Sequence, residues 1–177
     1  TVFTLREGPV MYNQEVRRGW DTRQTVGFAV HLIWKYRPDA VFVDVIGVGA
    51  GVVDRLRELG HPVIGVNASA TPPDERYLNM RAYMWAQMAE WVKTVGCIPS
   101  DSHDLARELS SVPYEFSSNG KTKIRSKEEL KKDGIPSPDL ADSLALTFAY
   151  PVSSKFRAKG QSLTPSTIHE YNPFPEV

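Results

Sequence analysis

The chain of 177 residues contains one cysteine, Cys97, and its acidic and basic residues balance to a formal net charge of zero. A single cysteine excludes an internal disulfide and suits a reducing cytoplasm. Zero net charge excludes an overall basic protein, so any surface for nucleic acid must be local. No apolar run approaches the roughly 20 residues of a membrane-spanning helix. With 41% hydrophobic residues, the chain can build the core of one ordinary domain.

Histidine is also scarce, and no two of the four histidines have the spacing of a zinc site. A Ser–His–Asp triad has no local signature in the sequence either. Each histidine is therefore expected to be structural or to lie at the surface. Carboxylates remain as the candidates for chemistry, and the informative ones are those that interrupt an apolar pattern.

Patterns of apolar, capping and turn residues predict one α/β domain over 1–151, followed by a polar tail over 152–177 that contains prolines. A strand over 40–48, a helix ending at Gly60 and a strand over 62–68 predict a parallel βαβ unit. The other predicted elements are a hairpin around Gly8-Pro9, a helix from Asp21 to Pro38, a helix over 75–95 whose Met and aromatic stripe belongs to the core, a helix over 101–111, a hairpin over 114–125 with Asn119-Gly120 at its turn, and a last helix capped by Ser137.

The last helix carries two aspartates, Asp139 and Asp142, on the side away from its stripe of Leu, Ala and Phe. An acid in a first turn stabilises the positive helix N-terminus by about 0.3–1 kcal/mol. This effect explains Asp139 better than Asp142, because it fades within one turn. Asp142 is therefore the candidate for a cation, and its removal is expected to cost little stability.

A third aspartate, Asp44, interrupts the β-branched run "AVFVDVIGV". Burying an ionised carboxylate without a partner is costly, so Asp44 is expected to lie where the strand opens onto a cleft. The glycines of "GVGAGV" that follow would leave room for a ligand to approach. A dinucleotide-binding turn is disfavoured, because Val52 replaces the third glycine and Asn67 stands where an acid would bind a ribose.

Carboxylates on two separate elements suit hard divalent cations. Mg²⁺ and Mn²⁺ prefer oxygen ligands, and two such ions about 3.5–4 Å apart can serve phosphodiester hydrolysis. The sequence therefore favours Asp44, Asp139 and Asp142 as metal ligands and catalytic residues.

Three segments carry a family resemblance. In their order and spacing, "VDVIGVGAGVVDRLRELG", "RYLNMRAYMWAQMAEWV" and "IRSKEELKKDGIPSPDLADSLALTFA" resemble the nuclease domain of bacteriophage terminase large subunits. The resemblance implies an RNase H-like fold, with a mixed central sheet flanked by helices. It also implies a Mg²⁺- or Mn²⁺-dependent endodeoxyribonuclease that cuts concatemeric viral DNA during packaging.

The resemblance assigns roles to individual residues. The strand acid of the family maps onto Asp44, and its C-terminal helix acid maps onto Asp142, with Asp139 as a second candidate. Lys127 matches a basic position near the site that would contact phosphate or water at the metal. The first strand of the family and its aspartate would precede Thr1, so the activity of this fragment is open. The implied partners are double-stranded DNA, an ATPase domain upstream in the same polypeptide, the portal and the small terminase subunit, all in the cytoplasm of the bacterial host and none in a membrane.

Local basic runs are the candidate DNA contacts. The run 121–132 holds six basic residues and two acids, and the run 155–159 holds three basic residues. Neutralising phosphates dominates affinity for DNA, which favours Lys121, Lys123, Arg125 and Lys127 as DNA-binding residues. Two alternatives stay open: a structure-selective resolvase-type nuclease on the same fold, and a non-catalytic docking module of the packaging motor.

Overall fold

The computed structural model describes residues 1–154, which form six helices and four two-stranded sheets. Most of the predicted tail over 152–177, including the basic run 155–159, lies outside the described residues. Within residues 1–154, none of the helices has the length and apolarity required to span a bilayer. The α/β class predicted from the sequence is confirmed.

The N-terminal hairpin and the first helix form as predicted. Strand β1 (Val2–Phe3) pairs antiparallel with β4 (Glu15–Val16), and β2 (Arg6–Glu7) pairs with β3 (Val10–Met11) across a turn at Gly8. Helix α1 (Thr22–Tyr36) begins after Asp21, whose carboxylate accepts from the backbone N–H of Gln24 in a capping box.

The predicted βαβ unit is confirmed, but its first strand is shorter and less buried than expected. Strand β5 (Phe42–Asp44) pairs parallel with β6 (Ile64–Val66), and helix α2 (Gly49–Glu58) connects them. The strand ends because the Asp44 carboxylate accepts from the backbone N–H of Ile46 and Gly47 turns the chain at φ 69°. A Cβ on Gly49 would lie 1.6 Å from the Asp44 carbonyl oxygen. The space that this glycine leaves is therefore used by the backbone, whereas the sequence had suggested a ligand.

Helix α3 (Met80–Thr94) starts five residues later than predicted. Asn79 caps it, and the preceding segment instead pairs with a hairpin strand: Leu78 donates to the Thr122 carbonyl, and the Thr122 N–H donates to the Arg76 carbonyl. Four residues of the predicted Met and aromatic stripe are buried in the main core, Met80, Met84, Met88 and Trp91, whereas Tyr77 precedes the helix and is half-buried. Trp85, which was not part of the predicted stripe, is buried with them.

The last third of the described chain packs against α3 through β8 and α6. It comprises α4 (His103–Ser111), the predicted hairpin of β7 (Tyr114–Phe116) and β8 (Thr122–Ile124), α5 (Lys127–Lys132) and α6 (Asp139–Leu146). Helix α5 was not predicted, although Ser126 and Glu129 form a capping box at its start. The predicted cap of α6 is wrong, because the Ser137 hydroxyl bonds the Asp139 carboxylate and the cap position falls on Pro138.

A single central sheet, as the sequence predicted, is not formed by residues 1–154. Each strand has two or three residues and pairs with one neighbour, which leaves four separate sheets. Strands β1 and β5 both pack against α6 without pairing with each other. A second core lies between α1 and α2, whereas the buried residues of α6 belong to the main core.

Candidate functional site

The N-terminal turn of α6 brings Asp139 and Asp142 together. Ala141, Leu144 and Ala145 are buried in the core, which leaves the two acids on the other side of the helix. Lys127, the first residue of α5, lies between them. Its Nζ is 3.3 Å from Asp139 Oδ1 and 3.3 Å from Asp142 Oδ2. The structure thus brings together three of the predicted site residues.

Asp142 is the most firmly held of these groups. Its Oδ1 accepts from Trp85 Nε1 at 2.8 Å and from Arg81 Nε at 3.0 Å. Its Oδ2 has two longer contacts, to Lys127 Nζ at 3.3 Å and to Arg81 Nη2 at 3.4 Å. The ion pair with Arg81 is largely shielded, since the side chains of Arg81 and Asp142 are 14% and 21% exposed.

Asp139 has a more open environment. Its side chain is 62% exposed, and its Oδ1 accepts from the Ser137 hydroxyl at 2.7 Å in addition to Lys127. The two acids therefore differ in exposure and in partners: Asp139 is exposed at the helix start, and Asp142 is largely shielded and bonded to Arg81 and Trp85.

The ammonium of Lys127 is stabilised by both acids. Partial burial works against its charge, but attraction by Asp142 and Asp139 outweighs burial and raises the pKa of Lys127. A cation between the two carboxylates is thus electrostatically favourable at this position.

Glu108 of α4 supplies the cap that α6 lacks in its own sequence. Its Oε2 accepts from the Ala141 N–H at 2.8 Å, and α6 has no side-chain cap of its own. Burial raises the pKa of Glu108, the backbone N–H groups of Ala141 and Leu140 lower it, and repulsion by Asp139 and Asp142 raises it again. The net pKa is raised, so the site holds a third carboxyl group that ionises reluctantly.

Asp44 lies at the exposed end of β5, and β5 packs against α6. Its carboxylate bonds the Ile46 N–H and takes no part in the ion pairs around Lys127. In the part of the chain that the structure describes, no group of three or more His, Cys, Asp or Glu side chains is arranged to hold a metal ion.

Two carboxylates are nevertheless a donor set that suits Mg²⁺ or Mn²⁺. Such ions usually keep several waters and bind one or two carboxylates together with substrate phosphates. Asp139 Oδ1 and Asp142 Oδ2 already share one cationic group, the Lys127 ammonium, and a divalent ion would bind there by displacing this ammonium.

The basic residues of the β7–β8 hairpin are mostly neutralised by acids of the same chain. Lys123 pairs with Glu115 at 3.1 Å, and Arg125 pairs with Glu115 at 2.5 Å and with Asp133. Lys121 forms no ion pair within residues 1–154. Of these three candidates for DNA contact, Lys121 has the charge most available to a phosphate.

Sequence reasoning missed three residues of the site: Arg81, Trp85 and Glu108. Arg81 and Trp85 lie on α3, whose Met and aromatic stripe predicts a core helix and no functional site. One signal was present, because a charged residue near the start of a buried helix requires a partner. Glu108 had no such signal, since a glutamate in an amphipathic helix is ordinary.

Neither a family model nor a curated protein matches the sequence. Solved structures do match. The nuclease domain of the large terminase subunit of bacterial virus Sf6 superposes with a TM-score of 0.72 and 24% identity, covering 84% of this chain and 81% of that chain. A variant of that domain solved with manganese gives 0.71 and 23%, covering 84% and 82%. The large terminase nuclease of thermophilic phage G20c, solved with bound magnesium, gives 0.63 and 20%, covering 84% and 72%. The chain therefore has the fold of the nuclease domains of phage large terminase subunits, as the three sequence segments indicated.

Proposed function

We propose that this chain is the nuclease domain of a phage large terminase subunit, which cuts concatemeric double-stranded DNA during packaging with Mg²⁺ or Mn²⁺. The observation that carries the proposal is the pair Asp139 and Asp142, which share one cationic group at the start of α6. The similar folds solved with manganese and magnesium support the choice of metal.

Within this proposal, Asp142 and Asp139 would hold the metal. Asp44 would be a third ligand, contributed from β5, which packs against α6. A bound Mg²⁺ or Mn²⁺ would polarise a water molecule and neutralise charge on the phosphodiester, and a second ion would extend this to the leaving oxygen. Lys127, displaced from between the acids, is then free to contact a DNA phosphate.

DNA would approach along the β7–β8 hairpin and the start of α5. Lys121 offers its charge directly, whereas Lys123 and Arg125 would first have to exchange their carboxylate partners for phosphates. The ATPase domain upstream, the portal and the small terminase subunit are the proposed protein partners, and the host cytoplasm is the proposed location.

A non-catalytic docking module of the packaging motor is the second candidate. It is favoured by one observation: residues 1–154 gather two carboxylates around a shared cation but no group of three metal-binding side chains. On this alternative, the ion pairs of Asp142 with Arg81 and Lys127 are purely structural.

The two candidates differ in a plasmid-nicking assay on the full chain. Supercoiled plasmid is incubated with wild type, Asp142→Asn or Asp104→Asn, in Mn²⁺, in Mg²⁺ and in EDTA. The nuclease proposal predicts nicking only with metal. It also predicts that Asp142→Asn loses more nicking activity than the about 10–100-fold that is typical when a residue that hydrogen-bonds a metal ligand is replaced. Asp104 is a matched control, because it is an exposed acid paired with Arg107 on α4. Metal-independent DNA binding without nicking by wild type would favour the docking module.

A further inference from the structure

The carboxylate of Asp142 has two chemically distinct oxygens. Oδ1 accepts two short hydrogen bonds, from Trp85 Nε1 and Arg81 Nε, at 2.8 and 3.0 Å. Oδ2 has only contacts of 3.3 and 3.4 Å. Oδ2 is therefore the less tightly held oxygen, and one of its two partners is a cation, the Lys127 ammonium, whose place a metal ion would take.

We infer that Arg81 and Trp85 are positioning residues that orient the Asp142 carboxylate, so that Oδ2 points to the metal. The inference rests on the proposed function, because it concerns how that site binds its metal. It goes further by assigning a task to two side chains of α3 that have no role in the proposed function itself.

Both side chains are fixed independently of Asp142. Trp85 is 6% exposed and belongs to the main core. Arg81 donates its Nη1 to the Arg125 carbonyl at 2.7 Å, and its guanidinium carbon lies 5.7 Å from the centre of the Trp85 ring. Because the residues are one turn apart on the same helix, they present their donors to one oxygen from a rigid surface.

Residues that hydrogen-bond a metal ligand usually increase metal affinity by fixing the orientation of that ligand. A carboxylate that can rotate must be ordered when the metal binds, and losing such a partner typically costs about 10–100-fold in metal affinity. Two variants remove the partner without changing the charge of the site. Trp85→Phe removes the indole N–H and keeps an aromatic ring, and Arg81→Lys keeps one positive charge but loses the two-pronged contact.

Each variant has a matched control elsewhere in the fold. Trp91 lies on the same helix and donates its indole N–H to the Gly8 carbonyl at 3.2 Å, away from the acids. Arg57 contacts the Val63 carbonyl through Nε and Nη2 at 3.3 and 3.2 Å. Trp91→Phe and Arg57→Lys therefore repeat the same chemical changes without touching Asp142.

The test is isothermal titration calorimetry of the full chain with MnCl₂, together with melting curves in EDTA. We expect the Mn²⁺ dissociation constant to rise about 10–100-fold in Trp85→Phe and in Arg81→Lys, and to stay within about twofold of wild type in both controls. A test variant should lose more Mn²⁺ affinity than a control variant whose melting temperature is similarly lowered. A merely structural role would lower the melting temperature without this additional loss of affinity.

The outcomes separate the inference from the function on which it rests. If wild type binds Mn²⁺ through Asp142 and both test variants bind it equally well, the positioning role is wrong and the metal site stands. If Trp91→Phe loses as much affinity as Trp85→Phe, the effect is one of packing and the inference is also wrong. If wild type binds no Mn²⁺, or Asp142→Asn binds it like wild type, the proposed metal site itself fails.

Discussion

Replacing Asp142 by asparagine tests how this carboxylate is held before any metal binds. The sequence alone suggested that its removal costs little stability, because the benefit of an acid at a helix N-terminus fades within one turn. The contacts with Arg81 and Trp85 reverse that expectation, since the substitution leaves a largely buried guanidinium without its counter-charge. Hydrogen bonds to charged groups contribute about 1.5–3 kcal/mol, and relief of repulsion from Asp139 offsets part of the loss. We expect a net loss of about 2 kcal/mol, or about 4–8 °C in Tm for a chain of this size.

The assay is thermal denaturation in EDTA, followed by circular dichroism, for wild type, Asp142→Asn and Asp139→Asn. Asp139 is the matched comparison, because its carboxylate lies on the same helix and contacts the same lysine but is 62% exposed. Its variant should lose less than about 1 kcal/mol, as exposed ion pairs do. An Asp142→Asn protein that melts at or above the wild-type temperature would refute the assignment of the Arg81 ion pair as a stabilising contact.

Three further predictions concern the surroundings of the site. Folding raises the pKa of Glu108 above its ordinary value of 4.5. Its protonated form therefore adds to the free energy of unfolding below pH 4.5, and this contribution is lost as pH rises through the raised pKa. Glu108→Gln should therefore melt like wild type at pH 4 and higher than wild type at pH 7; equal melting at both pH values would contradict the raised pKa. Lys121→Ala should reduce the slope of log affinity for DNA against log salt by about 0.9, and Lys123→Ala by less because carboxylates already neutralise it; anisotropy titrations that show equal reductions would contradict this ranking. Gly49→Ala should markedly lower the free energy of unfolding in urea, because its Cβ would meet the backbone carbonyl at the end of β5, and a variant as stable as wild type would show that this turn can shift.

The parts of the fold that the sequence predicts are those determined by neighbouring residues. The residues of the capping box, Asp21 and Gln24, are three positions apart, and the turn at Asn119-Gly120 joins two adjacent strands. The Met stripe of α3 repeats within one helix. In each case the interacting groups are close in the chain, so the pattern contains the whole interaction.

The parts that the sequence does not predict depend on distant partners. Asp142 is bonded by Arg81 and Trp85, which precede it by 61 and 57 residues, and Ala141 is bonded by Glu108, 33 residues earlier. No spacing rule connects such positions, so Asp142 could be recognised as unusual without its donors being identified. The extent of the sheets was missed for a similar reason, since strands of two or three residues have no reliable alternation.

We propose that Asp139 and Asp142 hold a divalent metal ion at the start of α6, and a crystal of the full chain soaked in Mn²⁺ tests this site, with anomalous diffraction data collected to locate the ion. We expect an anomalous peak at coordination distance from Asp142 Oδ2, with the Lys127 ammonium displaced from between the two acids. Absence of a peak at Asp142, with Lys127 still paired to both carboxylates at saturating Mn²⁺, would contradict it.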